Sequence, residues 1–417
     1  MFFWLMILMI LSMEVFAQKK QRNELFGFHF KGKRQVTARI PFEIYSNLII
    51  IKVRVDESDT LNFIFDTGVS SFIITDQTIA KKLKLNVTRT VRINGAGEKD
   101  YLEGKVSLGH KIDIGEIQAI KQNMVVLNED LLKLSEYMGI TVHGIFGHDL
   151  FERFVVKIDF GSKNIWFEEP SRFKIRKSMG DVYPLIVTQS KPYLEDLQIA
   201  QNGHDFQKLR LLVDTGAGHA LLLNTQDNPP IYLPDKVIRA NLGRGLNGNI
   251  DGHIGRIGKF KIGNFEFSDV LASFPDSLAF SMKFGDEINN RQGSIGGEFL
   301  RRFILTFNYQ KGYLIMKPLK SKYRETFEHD MSGLEVRVKG ENLDKFVITF
   351  VTPGSQAYLA GLQENDEIIF INNKHAKTQT INDIYRLLSK KEGTEIEIFY
   401  RRGVALNFAY FKLKRII

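Results

Sequence analysis

The chain of 417 residues contains no cysteine. That absence excludes disulfides, thiolate metal sites, a cysteine nucleophile and lipid attachment through sulfur, so the fold must be held by its packed core alone. Beyond the first residues no apolar run approaches the ~20 residues that a membrane-spanning helix needs. Lys and Arg exceed Asp and Glu by nine, but they are scattered. Without a basic block or a nucleic-acid-binding motif, this charge reads as a basic soluble surface suited to acidic partners or an anionic membrane face. No nucleic-acid partner is expected. His143 and His148 lie five apart with Gly144 and Gly147 between them, which is not the helical spacing of zinc enzymes, so no metal and no cofactor are expected. Ser70-Ser71 has no nucleophile-elbow context.

A hydrophobic content of 43% with 25% charged residues is that of a globular protein, and this length predicts two or three domains. The apolar stretch Met1–Met13, ending before small Ala17, has the form of a cleaved export signal over residues 1–17. The expected address is therefore exported, periplasmic or secreted, with no integral span once the signal is removed. Residues 18–39 are polar and basic and read as a loose leader.

The centre of the chain is an apolar run broken by an acid, Phe63-Ile64-Phe65-Asp66-Thr67-Gly68, and its echo Leu211-Leu212-Val213-Asp214-Thr215-Gly216. Burying a carboxylate is costly unless something uses it. The two acids lie 148 positions apart, and Gly144–Phe160 pairs without a gap with Gly293–Tyr309 at an offset of 149. Two landmarks keeping nearly one offset mark a duplicated lobe. Two carboxylates held close cannot both ionise, so the pair keeps one proton and can activate a water between its members. Gly68 and Gly216 let the chain turn sharply behind each acid, and Thr67 and Thr215 are suited to hydrogen bonds across the lobes.

These triplets, with the apolar-apolar-Gly segments Ile145-Phe146-Gly147 and, in the aligned place, Ser294-Ile295-Gly296, resemble the aspartic proteases of the retropepsin/pepsin group. The resemblance covers about residues 40–318. It implies a mainly β, bilobal acid-protease fold whose cleft holds an extended polypeptide substrate, with Asp66 and Asp214 as the catalytic pair. The lobes are expected at 40–170 and 171–320, with linkers near 168–181 and after Pro318 through about Asp330. Ser294 departs from the apolar pattern. Val69 and Ala217 offer no hydroxyl where pepsin-like members usually place Ser or Thr, which predicts a pH optimum that is mildly acidic to near neutral.

Lids over the cleft are expected at Ile93–Leu102, around Gly95-Ala96-Gly97, and at Leu242–Gly252, which contains Gly243-Arg244-Gly245-Leu246-Asn247-Gly248. The second spells a dinucleotide-type G-x-G-x-x-G, but it follows no buried strand and opens no helix, so mobile glycine-rich flaps fit better. A helix is expected over Asn128–Met138.

The last part changes style. Val351-Thr352-Pro353-Gly354-Ser355, Ala360-Gly361-Leu362 and Asp366–Asn372 closely resemble a PDZ domain, spanning 331–417. That resemblance implies a peptide groove between a strand and the helix Thr380–Leu388, marked by Gly333, Leu334, Val336 and Ile384, with a carboxylate-capturing loop near Ser332–Glu335. The reading that follows is a monomeric aspartic endopeptidase whose PDZ domain recruits peptide. Two alternatives stay open: a non-catalytic peptide-binding scaffold of the same fold, and lobes that pair with copies in another chain.

Overall fold

The computed structural model describes residues 27–93, 95, 97, 101–201, 205–225, 230–276 and 291–417. The expected signal segment, the first part of the leader and Ala96 lie outside them.

In the first copy the strand Leu61–Phe65 runs antiparallel to Leu48–Val55 and parallel to Gly144–Phe146. Gly144–Phe146 in turn lies antiparallel to Ile73–Ile74, which is parallel to Ile117–Leu127. The second copy repeats this path. Gln207–Val213 lies parallel to Gly293–Ile295, that strand antiparallel to Leu221–Leu223, and the last parallel to Phe265–Pro275. Gly144–Phe146 and Gly293–Ile295 are buried at every residue, as strands flanked on both sides and covered on both faces must be.

A third sheet, six strands among the described residues, takes members from both copies. Its centre pairs Val155–Asp159 antiparallel with Phe303–Asn308, in the register Val156↔Phe307 and Ile158↔Leu305. The 149-residue offset carries Val156 onto Leu305 and Ile158 onto Phe307, so it exchanges the two pairs. The copies are related by a pseudo-twofold axis at this seam.

Four expectations need correction. Residues 27–39 are not a loose leader: Gly27–Phe30 pairs with Ile117–Leu127, and Thr37–Pro41 pairs with Asn164–Glu168. Burial decides it: Phe28 and Phe30 enter the core with His29 buried between them, and in the second strand Ala38 and Ile40 turn inward while Thr37 and Arg39 face water. The segment 168–181 is likewise anchored, by buried Phe173 and a short 3₁₀ turn at Lys177–Met179. Only Leu134–Met138 of the expected 128–138 helix is helical, because the Asp130 carboxylate accepts from Lys133 N–H and holds a turn before it.

The fourth correction concerns the segment after Pro318. Tyr323 and Phe327 pack on Phe267, Phe299 and Phe303, sealing the second lobe. Fully buried Arg302 lies 3.8 Å from the Phe327 ring centre and donates to the carbonyls of Glu325 and Thr326.

The C-terminal domain has its own core. Its strands run in the spatial order Leu334–Lys339, Lys345–Val351, Glu367–Ile371, Glu395–Arg402, Ala405–Lys412. The helix Ile381–Leu388 begins as expected, with Thr380 accepting from Asp383 N–H and the Asp383 carboxylate accepting in return. Among the described residues no helix is long and apolar enough to cross a membrane.

Candidate active site

The two Asp-Thr-Gly turns stand at equivalent strand ends. Asp66 N–H donates to Phe146 O and Asp214 N–H to Ile295 O, both at 2.9 Å. The glycines of the later landmarks permit this approach, since a Cβ on Gly147 would lie 1.9 Å from Asp66 O. Substitution there would push the turn off its strand.

Four hydrogen bonds lock the turns across the lobes. Thr67 N–H donates to Thr215 Oγ1 at 3.1 Å, and Thr215 N–H donates to Thr67 Oγ1 at 3.0 Å. The Thr67 hydroxyl donates to Val213 O at 2.6 Å and the Thr215 hydroxyl to Phe65 O at 2.9 Å. Both threonines are buried, so losing a partner would strand polar groups at about 1–3 kcal/mol each.

So held, the carboxyls of Asp66 and Asp214 come together: a Cβ on Gly68 would lie 3.0 Å from Asp214 Oδ1 and 3.1 Å from Asp66 Oδ1. Gly68 N–H donates to Asp66 at 2.6 Å and Gly216 N–H to Asp214 at 2.9 Å. A Cβ on Gly216 would fall 2.1 Å from Asp66 Cγ, which is why glycine follows the second threonine. Burial, and then the adjoining Asp214 charge, raise the Asp66 carboxyl well above the usual carboxylate range, although Gly68 N–H pulls against them.

Both acids form the floor of a cleft of about 810 Å³. Two hairpins also contribute to its lining. Val87–Ile93 pairs with Leu102–Ile114, and Val237–Gly245 with Gly248–Ile262 around the tip residues Leu246 and Asn247. The tips meet: buried Asn247 donates through Nδ2 to Gly95 O at 3.0 Å, and Leu246 joins an apolar cluster of the first lobe. Gly95, Gly243, Gly245 and Leu246 all line the cleft. Gly97 stands at φ +133° against the Asn247 backbone, where no side chain fits.

Residue-type reasoning missed several groups around the pair. His219 donates or accepts at 2.9 Å with Ser294, and burial pushes its pKa down to about 4. Position 219 matches Ser71 of the first copy, and that break in the repeat is the signal that could have found it. Lys191 and Arg291 also line the cleft near Asp214, each lowered by burial, and Lys191 opposes the rise at Asp66. Tyr309 lies close enough to both aspartates for their charge to add to the rise that burial imposes on its hydroxyl.

An aspartyl protease family model matches residues 51–150 and 197–299, one span over each triplet and its downstream landmark. A PDZ domain model matches residues 347–402. This is the single-chain, retropepsin-like aspartyl protease architecture with a C-terminal PDZ domain. No curated protein matches the chain.

The PDZ groove differs from expectation, because it is filled by the chain's own side chains. The Asp330 carboxylate occupies the carboxylate loop, accepting from the N–H groups of Ser332 (3.1 Å), Gly333 (2.5 Å) and Leu334 (3.2 Å) and from Ser332 Oγ (2.6 Å). Tyr385 reaches from the helix to the edge strand, where its hydroxyl accepts from Val336 N–H and donates to Val336 O, both at 3.0 Å. Those backbone groups are the ones an added peptide strand would use. Leu334, Val336 and Ile384, expected to line the groove, are buried in the domain's core instead. The PDZ helix also docks on the first lobe, with Asn382 accepting from Ser46 N–H and donating to Ile44 O.

Proposed function

We propose that this protein is an aspartic endopeptidase in which Asp66 and Asp214 share one proton and activate a water against a peptide carbonyl. The adjoining carboxyls, crossed by the reciprocal threonine bonds on the floor of the cleft, carry this reading. In the attack, the ionised carboxylate takes a proton from water while the protonated partner donates to the carbonyl oxygen, giving a tetrahedral diol. In the collapse the newly protonated carboxyl gives its proton to the departing nitrogen, the C–N bond breaks, and the other carboxylate takes the proton of a diol hydroxyl as the carbonyl re-forms, which restores the singly protonated pair. The proton belongs to the pair, so neither aspartate alone is the base.

Both acids come from one chain, which supports a monomeric enzyme. The N-terminal apolar stretch supports export to a periplasm or the exterior. Any recruitment of peptide through the PDZ groove requires Asp330 and Tyr385 to move first.

The test is to incubate the full chain with a mixed peptide library and to read new termini by mass spectrometry. Asp66→Asn and Asp214→Asn should each reduce cleavage by at least about 10³-fold. Full activity in either variant overturns the reading.

A further inference from the structure

Strand Leu334–Lys339 of the PDZ domain alternates strictly: Leu334, Val336 and Val338 point into the domain, while Glu335, Arg337 and Lys339 point out. The outward face does not look to open water. Glu335, Arg337 and Lys339, together with Thr349 of the neighbouring strand, line the same cleft as Asp66 and Asp214. Arg337 lies 4.5 Å from the ring centre of Tyr137 in the first lobe, its side chain is only 13% exposed, and it is ion-paired with Glu335, so an acidic substrate residue would have to share or displace that pairing. The Tyr137 hydroxyl stands 3.6 Å from where a Cβ on Gly218 would be, two residues past the second triplet. Arg244 of the second flap donates to Leu131 O at 3.1 Å and lies within the field of Glu335. Flap, first lobe and PDZ strand therefore meet at one end of the cleft.

We infer that the outer face of this PDZ sheet is a wall of the substrate cleft, and that Arg337 and Lys339 select extended polypeptides carrying acidic residues beyond the scissile bond. The inference rests on the endopeptidase reading above. Two observations carry it. The peptide-binding edge of the domain is already occupied by Asp330 and Tyr385, which leaves the sheet face as its surface toward the cleft. The cleft as a whole is also lined, among the described residues, by seven Lys and Arg against four acids outside the aspartate pair. A positive channel concentrates and aligns negative substrate segments.

The experiment uses the full chain and fluorogenic peptides of about six and about twelve residues, spanning roughly 20 and 40 Å when extended. Each length is made with acidic or neutral distal residues around one cleavable bond. Wild type should favour the long acidic peptide in kcat/KM. Arg337→Ala and Lys339→Glu should each shrink that preference about threefold, with the loss residing in KM. An unchanged preference, or a loss shared equally by short and long peptides, overturns the wall. If Arg337→Ala does not fold, Lys339→Glu carries the comparison alone. If wild type cuts none of the peptides, it is the endopeptidase reading that fails. The wall is then judged by fluorescence anisotropy of the same labelled peptides: tighter binding of the long acidic one, weakened in the variants, supports it, and equal binding of all four overturns it.

Discussion

Asp66 and His219 share a cleft floor and respond to pH in opposite senses. The Asp66 carboxyl is raised by burial and by Asp214, so the stability it contributes is complete below its ordinary 3.8 and is lost as pH climbs through the raised value. His219 is lowered from 6.5 to about 4, so the folded state loses stability as pH falls between those values, when the unfolded chain takes the proton first. A shift of that size corresponds to about 3 kcal/mol. The two slopes oppose one another, so wild type should have a shallow melting profile from about pH 4 to 6.5. Asp66→Asn should steepen the gain with rising pH, and His219→Gln, which keeps a donor for Ser294, should abolish it. Melting temperatures of the three proteins across that range decide the matter. Parallel profiles would mean that neither group titrates as its surroundings require.

At the scale of elements, the self-filled PDZ groove joins a loop, a strand and a helix through two side chains. Asp330→Ala would free three backbone N–H groups and Ser332 Oγ to receive a carboxylate from outside. The domain should lose about 2–4 kcal/mol of stability and gain measurable affinity for a peptide with a free C-terminus, absent when that terminus is amidated. Fluorescence anisotropy reads both peptides, and identical behaviour of wild type and variant would show that Asp330 does not guard the loop. Much of this architecture was legible beforehand. The triplets, the hairpins around Gly95 and Gly245, and the PDZ strands are local patterns of alternation, glycine and capping, and such patterns survive in one dimension. What could not be read were partnerships made across the chain. Nothing near Asp330 marks it as a ligand for the loop beside it, and nothing near Arg337 places it over Tyr137. The stretch 319–330 misled because its charges hide two aromatic anchors, Tyr323 and Phe327, whose burial depends on phenylalanines 20 to 60 residues earlier.

For the whole molecule, the PDZ domain is not a tethered accessory. Phe327 belongs to the second lobe and Asp330 to the PDZ loop, and Glu328 between them pairs with Arg256 and Arg415. No slack remains for the domain to swing on, which fits a module that shapes the cleft. The central sheet has a consequence of another kind. Its seam of Val155–Asp159 against Phe303–Asn308 is a self-complementary edge, of the sort that joins two subunits in a symmetric dimer. If the backbone were interrupted in the exposed turn near Lys174, outside any strand, each fragment would keep one triplet and half of that seam. Co-expressed fragments 27–174 and 175–417 should co-purify as a one-to-one heterodimer and regain the cleavage that neither shows alone, and failure to co-purify would show that the covalent link, not the seam, joins the lobes. A split reporter would then be latent in this fold, switched on by whatever brings its fragments together.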